Sequence, residues 1–206
     1  MKKYLDSRQL TQFSKSLRKT RAHFGAVNIS KMSPSYGIEG NTFRAYRGWK
    51  HSPSKIYREW AEKNTKNIIT LPPTQSVSNE ASFGTWHKKL YNSLNKHWKT
   101  KQDKALSLAH CYKLVDLYIK WLSQFDFIDK KFVHNLTKYA SCALDSQTIE
   151  RINQCYGHCL PICKPRMGDV INQNTYDYCQ EIINEFCKAG GGTKLEFDYW
   201  AWKKGG

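Results

Sequence analysis

The sequence predicts an all-α fold, a helical bundle, on three observations. Apolar residues recur at steps of three and four along most of the chain, which is the spacing that places them on one face of a helix. Alternation of apolar and polar residues, which would indicate strands, is almost absent. With 40% hydrophobic residues in 206, the chain can build a core. We therefore expect a single domain over residues 1–206, or one domain with a small helical extension.

The N-terminal half, residues 1–103, is predicted to be basic, aromatic and helical. A basic helix is expected over residues 7–21. Glycine and proline make residues 25–53 irregular, and Ser52 or Ser54 beside Pro53 can start the next helix. A further basic helix over residues 79–100 has apolar residues spaced by four, namely Trp86, Leu90, Leu94 and Trp98.

The C-terminal half, residues 104–206, is predicted to contain the catalytic helices and a C-terminal pocket segment. Residues 104–123 form the most hydrophobic helix. Helices are expected over three later stretches: residues 128–139, residues 146–156, and a segment through Tyr178, Ile182 and Phe186 that three consecutive glycines end. The last apolar segment, residues 195–202, is too apolar to be a free tail.

The net charge of +16 is the strongest compositional signal. Lys and Arg number 33 against 17 Asp and Glu, and such a surface attracts polyanions because binding releases their counterions. Aromatic residues, at 14%, can stack on bases or fill the core. We expect double-stranded DNA as the partner, and a basic protein without a nucleic-acid role is the alternative.

The cellular location and oligomeric state of the protein are predicted from signals that the sequence lacks. The basic first twenty residues contain no apolar run, so no secretory signal is expected, and no stretch approaches the roughly twenty apolar residues that span a bilayer. Seven cysteines, an odd number clustered late in the chain, suit a reducing compartment. We therefore expect a cytoplasmic protein without membrane contact, and a monomer because no dimerisation seam is evident.

Lys113 is the first member of a candidate catalytic pair. It lies in the most apolar helix, about 100° of arc from the buried stripe. If its side chain faces a cleft, partial desolvation releases a neutral amine that can attack C1′ of a sugar. The structural alternative is a boundary lysine that extends to water.

Asp145, thirty-two positions later, is the second member and opens the next clear helix. An aspartate there accepts backbone N–H bonds and suits the positive end of the helix dipole, which alone would explain it as a cap. An ionised carboxylate also stabilises the positive charge that develops on a sugar ring when its glycosidic bond breaks. On a basic chain, the pair predicts chemistry at the deoxyribose of DNA.

The segment Ala143-Leu144-Asp145-Ser146-Gln147-Thr148-Ile149-Glu150-Arg151-Ile152 resembles the Pro-Val-Asp-x-x-Val-x-Arg segment of the helix-hairpin-helix DNA glycosylase superfamily. The lysine-to-aspartate spacing resembles the archaeal 8-oxoguanine DNA glycosylase branch. The resemblance covers about residues 105–155, with a thin extension at the C-terminal end. It implies a glycosylase that extrudes a base, with Lys113 as nucleophile and Asp145 as the assisting carboxylate.

The same resemblance implies a base pocket near the C-terminus. Asp198 and Trp202, four residues apart, look similar to that branch's pocket residues, so that Asp198 would bind the edge of the base and Trp202 would stack on it. His110, three residues before Lys113, lies on the same helical side and is expected to tune the amine.

The sequence leaves two modified bases as candidate substrates. Small divergent glycosylases of this kind also act in bacterial phage defence, where they remove glucosylated hydroxymethylcytosine, and the long basic and aromatic N-terminal half suits a pocket for a bulky base. An 8-oxoguanine-type repair glycosylase, with lyase activity through a Lys113 Schiff base, is the alternative. A non-enzymatic helical nucleic-acid-binding module would also explain the charge and the aromatic residues.

Lysine and arginine side chains, and not backbone amides, are predicted to contact the DNA phosphates. The superfamily hairpin usually holds a Gly-x-Gly turn, but residues 124–144 contain no glycine, and Ala143 replaces the proline before the aspartate. The residues expected to contact phosphates instead are Lys130, Lys131 and Lys138. In the loop 41–49, which alternates basic and aromatic residues, Arg44 and Arg47 are expected to reach DNA or line the pocket, or else the rings simply pin the loop.

A metal or iron–sulfur cofactor is not expected. Cys155, Cys159 and Cys163 stand near His158, but the three-residue gaps match neither a zinc ribbon nor the cluster of some glycosylases. We interpret them as core or surface thiols. The chain also lacks the carboxylate cluster of a metal-dependent nuclease.

Overall fold

The computed structural model describes residues 4–46, 48–158 and 164–202, and over these residues the chain folds into eight α-helices. Two strands of two residues, β1 (Val27–Asn28) and β2 (Phe125–Asp126), pair in parallel. The all-α prediction is confirmed. The helices are α1 (Ser7–Arg21), α2 (Pro53–Thr70), α3 (Glu80–Gln102), α4 (Leu108–Leu122), α5 (Lys130–Tyr139), α6 (Ser146–Cys155), α7 (Gln173–Gly190) and α8 (Lys194–Ala201).

The apolar faces of these helices form two buried clusters. One lies between α2, α3, α4 and α5, around Trp98, Tyr118 and Phe132. The other joins α1 to α6, α7 and α8, and in it the Phe13 ring lies 5.5 Å from the rings of both Phe186 and Trp200. Each cluster draws residues from both halves of the chain, so position 103 does not separate two cores. None of the described helices has the length and apolarity needed to span a membrane.

A buried polar network fixes helix α4, which carries Lys113. The fully buried Asp116 has Oδ1 2.7 Å from His87 Nε2 on α3, and its Oδ2 accepts a hydrogen bond of 2.9 Å from the Tyr176 hydroxyl on α7. Burial raises the pKa of Asp116, because desolvation of the carboxylate outweighs the favourable effects of these two partners. The network ties α4 to two neighbouring helices and so fixes its rotation.

The connection between α5 and α6, residues 140–145, is buried and contains no glycine turn. The Gln180 side chain accepts a bond of 2.9 Å from the Cys142 amide and donates one of 2.8 Å to the Cys142 carbonyl. The Ala143 amide donates to Asp198 Oδ2 over 2.6 Å. Because side chains of α7 and α8 already satisfy these backbone groups, this connection does not offer them to a phosphate.

Candidate active site

The structure brings Lys113 and Asp145 together. Lys113 Nζ lies 3.3 Å from Asp145 Oδ2, and the two side chains are only 12% and 8% exposed. One residue comes from the middle of α4 and the other from the start of α6, so the tertiary fold creates the contact. An amine and a carboxylate thus stand side by side in a site that is largely protected from water.

Asp145 is held rigidly as the N-cap of α6. Its Oδ1 accepts hydrogen bonds from the amides of Gln147 (2.9 Å) and Thr148 (3.0 Å), and its own amide donates to Thr148 Oγ1 over 2.7 Å. This reciprocal pattern is a capping box. Because the cap occupies Oδ1, the other oxygen is left to face Lys113. The capping role expected from the sequence and the contact with the amine therefore coexist in one side chain.

A cavity of about 580 Å³ opens beside Lys113. Helix α4 forms one wall through Lys113, Leu117 and Lys120, while Tyr199 and Trp202 contribute from the C-terminal end. Residues of the segment 33–42, which we call the polar wall, also line the cavity. The polar side chains that it directs to the cavity are Ser33, Ser35, Glu39, Asn41 and Thr42.

Gly37 allows the polar wall to lie directly on helix α4. Its φ is +83°, and a Cβ at this position would collide with the Leu117 carbonyl and come within 3.0 Å of Trp121 Cβ. Leu117 is one turn beyond Lys113, so this contact sets the width of the cavity next to the candidate amine. A residue with any side chain would push the wall away.

We predict that Gly37→Ala lowers the free energy of unfolding by about 1–3 kcal/mol, because it combines a left-handed φ with a steric clash. Gly40→Ala is the matched control, since a Cβ there meets nothing within 4 Å and its φ is not left-handed. Urea denaturation of both variants measures the difference. Equal stability of the two variants would contradict the close packing of this wall.

Asp198, which the resemblance expects to bind the edge of a base, does not line this cavity. It is fully buried, with Oδ2 accepting from the Ala143 amide and Oδ1 paired with Lys120. The physical reason is that the apolar C-terminal segment forms α8 and turns this carboxylate toward the interior. Asp198 therefore anchors both the α5–α6 connection and Lys120.

Lys120 is a cavity residue that the sequence pattern did not single out. It lies seven residues after Lys113, two helical turns along the same face, and this spacing was the available signal. Burial disfavours the ammonium, but the charge and hydrogen bond of Asp198 outweigh burial and raise the pKa of Lys120. Its Nζ also lies 4.4 Å from the centroid of the Tyr199 ring. Lys120 thus stays protonated on the cavity wall, with Asp198 as its counter-ion.

The structure separates the other two predicted pocket residues. Trp202 is exposed and lines the cavity, where its ring can reach a bound planar group. His110, also expected at the pocket, does not line this cavity. Its ring packs edge-on against Tyr46 at 4.5 Å, and Nδ1 lies 2.6 Å from Ser107 Oγ. Residues three apart on a helix differ by about 60° in direction, which is enough to turn His110 to this neighbouring surface.

The predicted phosphate contacts lie on an exposed helix. Lys130, Lys131 and Lys138 of α5 are all solvent-exposed, and Lys130 pairs with Asp126 of β2. Lys130 and Lys138 also border a second, open cavity of about 510 Å³ between α1 and α5. Arg44 is exposed in a 3₁₀ turn that begins at the cavity residue Thr42. Arg47 lies outside the described residues.

The cysteine cluster lies largely outside the described residues, which exclude Cys159 and Cys163. Cys155 is buried, and burial raises the pKa of its thiol, which makes it unreactive. Among the residues that the structure describes, no three His, Cys, Asp or Glu side chains are grouped to hold a metal ion.

Comparison of the chain with protein-family models, with curated proteins and with solved structures finds no match. The function must therefore be inferred from this chain's own residues. The features that bear on it are the Lys113–Asp145 pair, the cavity that Lys113 lines and the net charge of +16.

Proposed function

We propose that this protein is a DNA glycosylase that flips a modified base out of the duplex and cleaves its N-glycosidic bond, leaving an abasic site. The observation that carries the proposal is the 3.3 Å approach of Lys113 Nζ to Asp145 Oδ2, with Lys113 on the lining of a cavity. An amine that attacks C1′ and a carboxylate that stabilises positive charge on the sugar are the two groups that this reaction needs. The net charge of +16 favours a polyanionic substrate.

The reaction begins when Asp145 accepts a proton from Lys113 and leaves a neutral amine. Lys113 Nζ attacks C1′ while the bond from C1′ to the base breaks, and the base leaves with the bonding electron pair and takes up a proton. Opening of the sugar ring gives a Schiff base on Lys113. Water hydrolyses this adduct to an abasic site, or β-elimination from it cuts the strand. The departing base takes the proton that Asp145 accepted from Lys113, so Asp145 is a carboxylate again and offsets the positive charge that the imine carries.

The cavity suits a base with a bulky polar substituent. Its volume of about 580 Å³ falls within the range of sites that hold drug-sized ligands, which is more space than a bare nucleobase fills. Leu117 and Trp202 offer apolar faces to the ring, the Asp198-paired ammonium of Lys120 offers N–H donors, and the polar wall offers hydroxyl and amide groups. Glucosylated hydroxymethylcytosine from phage DNA is therefore the proposed substrate, and 8-oxoguanine is the alternative.

DNA binding is predicted to weaken steeply with salt, because the lysines of α5 displace counterions from phosphates. Replacing Lys130, Lys131 and Lys138 together by Ala should reduce the slope of log K against log salt by about 0.9 for each phosphate that is no longer neutralised. Lys188→Ala on α7 is the control. Lys188 is exposed and pairs with Glu185, and it lines neither of the two cavities described above. Fluorescence anisotropy with a labelled duplex measures these slopes, and a flat salt response of the parent protein would argue against a nucleic-acid partner.

The experiment that tests the proposal compares three DNAs: phage DNA with glucosylated hydroxymethylcytosine, unmodified DNA, and a duplex with 8-oxoguanine. Each is incubated with the protein, and mild alkali then cuts at abasic sites. We expect cleavage of the glucosylated DNA only. Cleavage of the 8-oxoguanine duplex only would show that 8-oxoguanine, and not the glucosylated base, is the substrate. No cleavage of any DNA, with tight binding retained, would favour the non-enzymatic nucleic-acid-binding module.

A further inference from the structure

We propose that Ile128 enters the duplex and fills the gap that the extruded base leaves in the stack. This inference rests on the proposed function, because it assigns a positioning residue for base extrusion. Ile128 is 97% exposed, the highest value among the large hydrophobic residues in the described part of the chain. It lies in the loop between β2 and α5.

The loop places Ile128 close to the cavity. Gln124 and Phe125 line the cavity, and Ile128 follows Phe125 by three residues. Even a fully extended chain would keep Ile128 within about 10 Å of Phe125. A side chain that fills a vacated stack must stand beside the pocket that receives the base, and Ile128 meets this condition.

The loop is held on both sides, so the exposure of Ile128 does not come from a loose segment. On one side β2 pairs with β1, and the Val27 amide donates to the Gln124 carbonyl over 2.9 Å. On the other side Asp129 caps α5 by accepting from the Lys131 amide at 2.9 Å, and its second oxygen accepts from the Thr74 hydroxyl at 2.6 Å. A rigid loop is what insertion between base pairs needs, since little order is then lost on binding.

The charges around Ile128 are compatible with DNA. Asp126 is paired with Lys130. The hydrogen bond from the Thr74 hydroxyl holds the pKa of Asp129 below its usual range. The Asp129 carboxylate therefore remains ionised and accepts hydrogen bonds from both the Lys131 amide and Thr74. Exposed Lys131 stands on the first turn of α5, three residues from Ile128. An apolar side chain beside basic residues is the combination with which DNA-bending proteins unstack a base step.

The test compares Ile128→Ala with Ile171→Ala, a matched control at a residue that is 75% exposed in the loop before α7. On a duplex with the excised base, Ile128→Ala should lower the rate of excision by about tenfold or more, because the open gap is no longer filled. On the same base in single-stranded DNA, where no stack must be filled, its rate should match the parent. Ile128→Leu should restore the duplex rate, and Ile171→Ala should leave both rates unchanged.

A second readout does not depend on catalysis. A duplex with a tetrahydrofuran abasic analogue and a neighbouring 2-aminopurine should become more fluorescent with the parent protein and with Ile171→Ala, but not with Ile128→Ala. If the parent excises a base and Ile128→Ala excises it from duplex DNA equally well, the wedge assignment is wrong and the proposed function stands. If no base is excised, the proposed function fails, and the fluorescence alone then supports or overturns insertion by Ile128.

Discussion

Asp145→Asn is expected to reduce base release by about 10²-fold or more, the loss typical when one electrostatic stabiliser of a transition state is removed. The amide keeps the shape of the carboxylate but not its negative charge. It therefore offers no charge to the developing cation and no site for the proton of Lys113. Because Asn is as good an N-cap as Asp, the bonds from the Gln147 and Thr148 amides should persist. DNA binding should stay within a few-fold of the parent.

Asp6→Asn is the matched control for this change. Asp6 caps α1 by accepting from the Gln9 amide at 2.8 Å, so the variant makes the same chemical change at a helix start that, unlike Asp145, does not pair with Lys113. Base release is measured by alkaline cleavage and DNA binding by anisotropy. Unchanged base release in Asp145→Asn would remove this residue from the mechanism, whereas equal losses in both variants would point to a general effect on folding.

Lys113→Gln is expected to abolish covalent capture and strand nicking and to remove most excision. Gln has a similar length but no nucleophilic amine, so no Schiff base can form on it. Borohydride reduction during the reaction should trap the parent protein on its DNA substrate and should leave Lys113→Gln uncaptured. Lys96→Gln, an exposed lysine on α3, should be trapped like the parent.

Two other outcomes of trapping have distinct meanings. Capture of Lys113→Gln at the parent's level would place the nucleophile elsewhere, and Lys120 is the other amine on the α4 wall of the cavity. Excision by the parent without any capture would indicate a hydrolytic glycosylase, in which water attacks C1′ and Lys113 serves only to position Asp145.

The helices could be predicted from the sequence because their signals are local. The spacing of apolar residues and the capping residues indicate the bounds of α1 as residues 7–21, and Pro53 marks the start of α2. The hydrogen-bonding needs of a helix start also place Asp145 at the cap of α6. Each of these features depends on residues within a turn or two of one another.

The candidate site could be predicted only in part because it depends on long-range packing. Proximity of Lys113 to Asp145 is expected from a resemblance, and the structure shows the contact. The same resemblance places Asp198 in the pocket, but the rotation of α8 buries it against Lys120, and no local pattern reports that rotation. The polar wall could not be predicted either, because its position depends on the contact of Gly37 with the backbone of α4, eighty residues later in the sequence.

Release of a free base is the most direct test of whether Lys113 and Asp145 form a glycosylase site. The parent protein and Asp145→Asn are incubated with phage DNA that carries glucosylated hydroxymethylcytosine, and the small-molecule fraction is analysed by mass spectrometry. We predict the intact glucosylated base in the parent reaction and its loss in the Asp145→Asn reaction. Release of the same base by both proteins, or of none from this DNA and from an 8-oxoguanine duplex, would contradict this assignment.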